Sequence, residues 1–252
     1  MKIQYVSDLH LEFSLNRDFL RANPIKPEGE ILLLAGDIVP FAIMRKHDDF
    51  FSYLSDNFKN TYWIPGNHEY YNYDVAEKSE ILFEQIKSNV SLVNNITIVQ
   101  DNVKFIFSTL WSKINPNNQF QIESSLSDFH VIKYKENLFN SNHYNQFHNN
   151  CLNFIKKELN DTDNNKNVVV THHIPTFMNY PEKYKGDIMN EAFAVELFDF
   201  IETKGPDYWI YGHNHYNQAD FEIGSTKMKT NQLGYVKYNE HLTFMNNISF
   251  QI

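Results

Sequence analysis

The chain is short of cysteine, glycine, positive charge and long apolar runs, and each shortage excludes something. A single cysteine, Cys151, rules out a disulfide scaffold and points to a reducing compartment, so a cytoplasmic location is expected. The longest clean apolar run, Ile31–Ala35, is far shorter than the roughly 20 residues of a membrane-spanning helix, so no membrane association is expected. The opening MKIQYVSDLH is interrupted by Gln4 and Asp8, and no signal-peptide core is expected there. Lys and Arg total 22 against 31 Asp and Glu, a formal net charge of −9. Gripping a nucleic-acid backbone broadly calls for a basic surface, so no such binding is expected.

At 252 residues and 42% apolar content the chain is long enough to bury a sizeable core, and one domain over 1–252 is expected. The composition leaves the oligomeric state open. The 32 asparagines cluster at Asn115, Asn117 and Asn118 and at Asn164, Asn165 and Asn167, and they read as solvated loops. Glycine is used eight times, about 3% against a usual ~7%. Three of those glycines, Gly36, Gly66 and Gly212, stand beside residues that can ligate a metal. Of eleven histidines, six (His10, His68, His172, His173, His213 and His215) fall in four short segments. Scarce glycine and clustered histidine at the same places mark a site.

Short apolar, β-rich runs each end in one of these polar clusters. Ile3–Val6 runs into Ser7-Asp8-Leu9-His10, Glu30–Ala35 into Gly36-Asp37, and Thr61–Ile64 into Pro65-Gly66-Asn67-His68-Glu69. Asn167–Val170 runs into Thr171-His172-His173, and Asp207–Tyr211 into Gly212-His213-Asn214-His215. Their length and composition predict buried strands. Helices are predicted between them over Asp48–Phe58, Val75–Val90, Asn145–Leu159 and Glu191–Glu202. Ile96–Val99 and Val103–Ser108, joined through Asp101-Asn102, predict a hairpin. The tail from Gln218 to Phe250 predicts short strands. Strand–helix alternation argues an α/β fold. Trp111–Tyr144 is polar, asparagine-rich and weakly periodic, and it predicts a partly helical insertion acting as a cap or lid. Pro175–Asn190 is expected to border the same pocket.

In open α/β sheets, sites form at the carboxyl ends of strands, where all five clusters lie. Asp8 and His10 stand at i and i+2, a spacing that points both side chains the same way, and His213 and His215 repeat it. Oxygen and imidazole ligands without thiolates suit divalent transition metals. With His68 and His173 set aside as neighbours of better-placed ligands, Asp8, His10, Asp37, Asn67, His172, His213 and His215 remain. They are too many for one tetrahedral zinc and suit two ions sharing a bridging group.

These motifs, in this order, make the sequence resemble the calcineurin-like metallophosphoesterase superfamily. The resemblance runs from Asp8 to His215 and rests on Asp8-Leu9-His10, Gly36-Asp37, Gly66-Asn67-His68-Glu69, His172-His173 and Gly212-His213-Asn214-His215. It implies a two-sheet β-sandwich of mixed strands flanked by helices, in place of a simple open sheet. It implies that Asp8, His10 and His215 bind one metal, that Asn67, His172 and His213 bind the other, and that Asp37 bridges. It implies that His68 is no ligand but the catalytic general acid or charge stabiliser. The implied cofactors are two divalent transition-metal ions (Mn²⁺, Fe²⁺/Fe³⁺, Zn²⁺ or Ni²⁺). The implied activity is hydrolysis of phosphomonoesters or phosphodiesters through attack of a metal-bridging hydroxide on a small phosphorylated substrate. A phosphodiesterase acting on cyclic nucleotides or other nucleotides is a narrower alternative. An inactive binding relative is a further one, against which stands the full set of ligands.

The sequence departs from the Ser/Thr protein phosphatases of the superfamily. Their Gly-Asp-x-x-Asp-Arg-Gly is here Gly36-Asp37-Ile38-Val39-Pro40-Phe41-Ala42, so the Asp that orients the catalytic His is Pro40 and the phosphate-gripping Arg is Phe41. Protein-phosphatase activity is therefore disfavoured. Beyond the motif, His173 reads as structural, and Glu12 and Glu69 as solvated or as neighbours of the ligands. Tyr70, Tyr71, Tyr73, Trp111 and Cys151 read as packing, and His130, His143 and His148 as surface residues.

Overall fold

Alternate residues of the central strands face opposite cores, which is why those strands read as continuous apolar runs. The protein is described here by a computed structural model covering residues 1–161 and 165–252, so Asn164 of the second asparagine cluster lies outside the described residues. In chain order the strands begin β1 (Lys2–Val6), β2 (Ile31–Ala35), β3 (Asn60–Ile64), β4 (Leu82–Lys87), β5 (Val90–Asn94), β6 (Ile96–Gln100) and β7 (Val103–Phe107). They continue with β8 (Lys133–Tyr134), β9 (Asn137–Leu138), β10 (Lys166–Val170), β11 (Tyr208–Tyr211), β12 (Phe221–Ile223), β13 (Thr226–Thr230) and β14 (Ser249–Gln251). The helices are α1 (Ser14–Ala22), α2 (Asp48–Asn57), α3 (Gln119–Ser125), α4 (Asp128–Val131), α5 (Ser141–Asn160) and α6 (Phe198–Lys204).

Twelve of these strands form two six-stranded mixed sheets, ordered β14-β1-β2-β3-β5-β4 and β12-β13-β11-β10-β7-β6. Their centres are parallel and their edges antiparallel. Ile3, Tyr5, Ile31, Leu33 and Ala35 of the first sheet interleave with Phe105, Phe107, Val168, Val170 and Ile210 of the second. The intervening residues face outward under helices. Leu32, Leu34 and Trp63 pack with Leu20, Phe51, Leu54 and Cys151, while Val169 and Trp209 pack with Ile155 and Ile201. This is the helix-flanked β-sandwich that the motif resemblance implies. Both sheets send the carboxyl ends of their parallel strands to the same edge of the sandwich, so loops from each meet there. No helix among the described residues is long and apolar enough to cross a membrane.

The five strands ending in polar clusters form as expected, and so does the hairpin of β6 and β7. Asp101 and Asn102 at its turn both have positive φ, 50° and 64°, as a two-residue hairpin requires. One predicted helix does not form and another forms only in part. Over Val75–Val90 the structure has a short 3₁₀ turn, Val75–Glu77, and then the antiparallel pair β4 and β5. The apolar stripe there was not a helical face: Ile81 and Phe83 are exposed, while Val90 is buried beside β3. Asn89 holds the turn by donating to the Ser55 and Phe58 carbonyls.

Over Glu191–Glu202 only Phe198–Lys204 is α-helical. Residues 193–197 instead exchange backbone hydrogen bonds with Ile174 and Pro175, a tertiary pairing that helix formation would forfeit. Cys151 lies on the buried face of α5. His148, read as a surface residue, is buried on that same face, where its Nδ1 lies 3.1 Å from the Trp111 carbonyl oxygen. The 111–144 segment contains α3, α4 and the small β8–β9 hairpin, and it packs Trp111, Ile114, Ile122 and Phe129 into the core under α5.

Candidate metal centre

The loops that follow β1, β2 and β11 turn by left-handed residues, and five of those residues are candidate ligands. Asp8, His10, Asp37, His213 and His215 have φ of 57°, 47°, 56°, 84° and 52°. Non-glycine residues occupy this region at a cost, and they persist only where the surroundings over-determine them. Here the loops lock one another. The amides of Asp8 and His10 donate to the carbonyls of Gly36 and Asp37 at 2.9 Å, and the His213 amide donates to the Asp8 carboxylate at 3.1 Å. The His68 amide donates to Asp37 Oδ1 at 2.9 Å.

All seven predicted ligands are brought together in two adjoining groups that share Asp37. Asp8, His10, Asp37 and His215 form one, and Asp37, His172 and His213 the other. Asp37 Oδ2 lies 3.7 Å from His10 Nε2, and its Oδ1 lies 3.4 Å from His172 Nε2. Asn67 joins the second group, with Oδ1 3.2 Å from His172 Nε2. Its amide orientation is set by Asp128, which accepts from Nδ2 at 2.9 Å and so leaves the oxygen inward.

The imidazoles carry the strongest sign of a cation. The outward nitrogens of four rings face fixed acceptors: His10 Nδ1 meets Glu12 at 3.0 Å and His215 Nδ1 meets Glu240 at 2.7 Å. His172 Nδ1 meets the Ala35 carbonyl at 2.9 Å, and His213 Nε2 meets the Ala192 carbonyl at 3.2 Å. A neutral ring that donates outward presents only a lone pair inward. Yet the inward nitrogens stand in facing pairs, His10 Nε2 to His215 Nε2 at 2.9 Å and His172 Nε2 to His213 Nδ1 at 3.0 Å. Two lone pairs at that distance need a proton or a metal ion between them, and the outward bonds are those that orient metal-ligating histidines. The donor set fits divalent transition metals.

Charge follows the same geometry. Burial opposes a charge on His172, but Asp37 and Asp8 outweigh it and push its pKa up to about 9. Burial likewise opposes a charge on His215, and the bonds to Asp8 and Glu240 raise its pKa to about 10. Burial and the neighbouring histidines hold His213 well below the usual range. The Asp37 carboxyl is buried, yet His172, His68 and His10 keep it well below the usual carboxylate range.

The three glycines singled out in the sequence are cradles. A Cβ on Gly36 would strike the His172 ring, one on Gly66 would strike Asp37 Oδ1, and one on Gly212 would strike Asp8 and Ser7. Glu69, expected to be solvated or beside the ligands, is fully buried beneath the loops. It accepts from the amides of Asp37, Ile38 and Gly66 and from Trp63 Nε1, at 2.6–3.0 Å.

His68 is not one of the seven, yet its ring packs edge-on against His10 at 4.4 Å, and with His10 and Glu12 it forms a further cluster of possible ligands. Its Nδ1 lies 2.9 Å from Glu12 Oε1, its Nε2 faces the Tyr235 hydroxyl at 3.3 Å, and its ring stacks on Tyr71 at 4.0 Å. Tyr71 therefore lines the site instead of serving only as packing, and its hydroxyl donates to Asp128 at 2.8 Å. Burial alone would raise the Glu12 pKa, but its bonds to His10 and His68 bring it down to about 2. His173 joins neither group. It is buried against Trp111, Tyr144 and His213, with Nδ1 3.3 Å from the Thr109 carbonyl oxygen.

Beside Asp37 and His68 opens a cavity of about 300 Å³. Asp128 and Ser127 from the 111–144 segment and Tyr184 from the 175–190 loop stand on its wall, with Phe193, Tyr235 and Glu240. Sequence reasoning missed Asp128, Glu240 and Tyr235, which lie in no motif. Continuing the two-residue alternation Asp8, His10 one step further reaches Glu12. A larger cavity of about 640 Å³, lined by Arg17, Lys46, Phe50 and Tyr53 among others, lies beyond Glu12 and contains none of the seven.

The family model described as calcineurin-like phosphoesterase matches residues 1–217. An uncharacterized protein of Acanthamoeba polyphaga mimivirus is 33% identical over 264 residues, which cover 92% of this chain and 91% of the relative. The crystal structure of phosphopantetheinyl hydrolase from Mycobacterium tuberculosis superposes with a TM-score of 0.67 at 14% identity, over 94% of this chain and 90% of that one. At that identity the likeness speaks for the fold.

Proposed function

The chain belongs to the calcineurin-like phosphoesterase family, hydrolases of phosphoester bonds that depend on metal, and on that premise we propose how its residues divide the work. Asp8, His10 and His215 would hold one divalent transition-metal ion and Asn67, His172 and His213 a second, with Asp37 shared between the two groups. The observation that carries this reading is the two pairs of facing imidazole nitrogens on either side of Asp37. Bound there, the ions supply Lewis-acid activation of water and neutralise charge on the phosphoryl group.

His68 presents Nε2 to the cavity while Glu12 accepts from Nδ1, so a proton held at Nε2 is aimed at the substrate side. It serves as general acid for the departing ester oxygen. Asp128 keeps the oxygen of Asn67 turned inward, and Glu240 does the same for Nε2 of His215. Segment 111–144 serves as a fixed cap, a role supported by Asp128 reaching from it to Asn67 and by its apolar side chains in the core.

The test is reconstitution. Metal-stripped protein is loaded with Mn²⁺, Zn²⁺, Ni²⁺ or Fe²⁺ and assayed on p-nitrophenyl phosphate, bis-p-nitrophenyl phosphate, cyclic nucleotides and nucleotide diphosphates. Hydrolysis should appear only with metal. Two bound equivalents without turnover of any ester would contradict the proposal.

A further inference from the structure

We infer that this site prefers phosphodiesters to phosphomonoesters, and that the diesters it takes carry apolar or aromatic groups on their ester oxygens. The inference rests on the phosphoesterase reading above. Near neutral pH a monoester carries close to two negative charges, because its second pKa is about 6, whereas a diester carries one. The cavity wall, among the described residues, contains no Lys and no Arg. Apart from the phenols of Tyr71, Tyr184 and Tyr235, its ionisable side chains outside the seven ligands are His68 and two carboxylates, Asp128 and Glu240, with Glu12 directly behind His68. Two divalent ions bring four positive charges. Asp8, Asp37, Glu12, Asp128 and Glu240 set five carboxylates around them. The second negative charge of a monoester meets no lysine or arginine there, and two carboxylates stand beside it.

The oxygens lead to the same result. A monoester has three non-bridging oxygens. Two can rest on the metals, and the third must find a donor. In a diester that third position is an ester oxygen with a neutral substituent. Besides His68 the wall offers that oxygen only neutral donors, among them Tyr235 and Asn214, whose Nδ2 has no hydrogen-bond partner, and it sets aromatic rings beside them. Tyr71 lies stacked on His68, Tyr235 packs edge-on to His215 at 4.5 Å, and Phe193 stacks on His213 at 4.7 Å. Aromatic faces on both sides of the metal groups offer contact area to a flat or apolar group.

The experiment compares kcat/KM for bis-p-nitrophenyl phosphate and p-nitrophenyl phosphate on the metal-reconstituted full chain. The leaving group is the same in both, so the comparison isolates the charge and the substituent. The diester is expected to be favoured at least tenfold, and any smaller ratio overturns the inference. Failure to hydrolyse either ester with two ions bound would instead overturn the phosphoesterase reading, and this inference with it. A second readout needs no turnover: diphenyl phosphate should raise the melting temperature of the loaded protein more than phenylphosphonate at equal concentration. The reverse order would overturn the inference. Ser127→Arg places a cation on the cavity wall and should lower the diester-to-monoester ratio at least fivefold. An unchanged ratio would refute the charge argument.

Discussion

One oxygen of Glu12 joins His10 to His68: Oε1 lies 3.0 Å from His10 Nδ1 and 2.9 Å from His68 Nδ1. The segment in which protein phosphatases carry the orienting Asp holds Pro40 here, and the carboxylate arrives from β1's loop instead. Glu12→Gln keeps the shape and one oxygen for both donors, but it removes the negative charge that favours a protonated His68. Loss of a group that orients a ligating histidine typically costs 10–100-fold in affinity or activity. A kcat loss of about that size is expected, larger on alkyl esters than on p-nitrophenyl esters, with metal content retained at saturating ion. An equal loss on both ester types would separate Glu12 from the work of His68.

His68→Ala removes a side chain that packs edge-on against His10 at 4.4 Å but belongs to neither group of the seven. It should keep the fold and both ions and lose roughly 10²–10⁴-fold on alkyl esters, the usual worth of a general acid. p-Nitrophenolate departs without a proton, so its esters should suffer less. Metal analysis alongside the kinetics decides: a lost ion would make His68 a ligand.

Glu69 is the buried keystone. Glu69→Gln replaces one of two oxygens, each of which accepts two N–H groups, with an NH₂ that faces them donor to donor. An unsatisfied buried donor costs about 1–3 kcal/mol. The variant should therefore lose several degrees of melting temperature and bind metal more weakly. A variant as stable as the parent would show that these bonds contribute little.

The metal-free and loaded proteins should answer pH in different ways. In the metal-free chain His172 and His215 have pKa values raised to about 9 and about 10, above the ~6.5 of an unfolded histidine. Their protonation stabilises that form fully below pH ~6.5, and the gain is lost as pH rises through the folded values. The ions need those nitrogens deprotonated, so loading should release protons near pH 7.5 and tighten as pH rises. Calorimetric titration of metal in buffers of different ionisation enthalpy reads the number released. A buffer-independent enthalpy would contradict the assignment.

Much of this site was legible because a metal centre needs unusual residues at strand ends. Gly36, Gly66 and Gly212 stood out in a glycine-poor chain, and in space each sits where a Cβ would meet a ligand. The helix–strand order was clear where burial was two-sided, as in β2. It failed over Val75–Val90, where exposed Ile81 and Phe83 imitated a helical stripe that pairing of β5 with β3 overrides. Residues that support the ligands were invisible for a different reason. Asp128 and Glu240 reach Asn67 and His215 from 61 and 25 residues away, and no local pattern marks a long-range hydrogen bond. His148 was misread because one polar residue on an apolar helix face satisfies itself with a carbonyl found only in the fold.

The central claim is that Asp37 lies between two ions. The most direct measurement is an anomalous difference map from crystals of the protein loaded with Mn²⁺. Two peaks are expected, roughly 3.5–4 Å apart, one beside Asp8, His10 and His215 and the other beside Asn67, His172 and His213, with an Asp37 oxygen reaching each. A single peak, or two peaks that Asp37 does not join, would contradict the account.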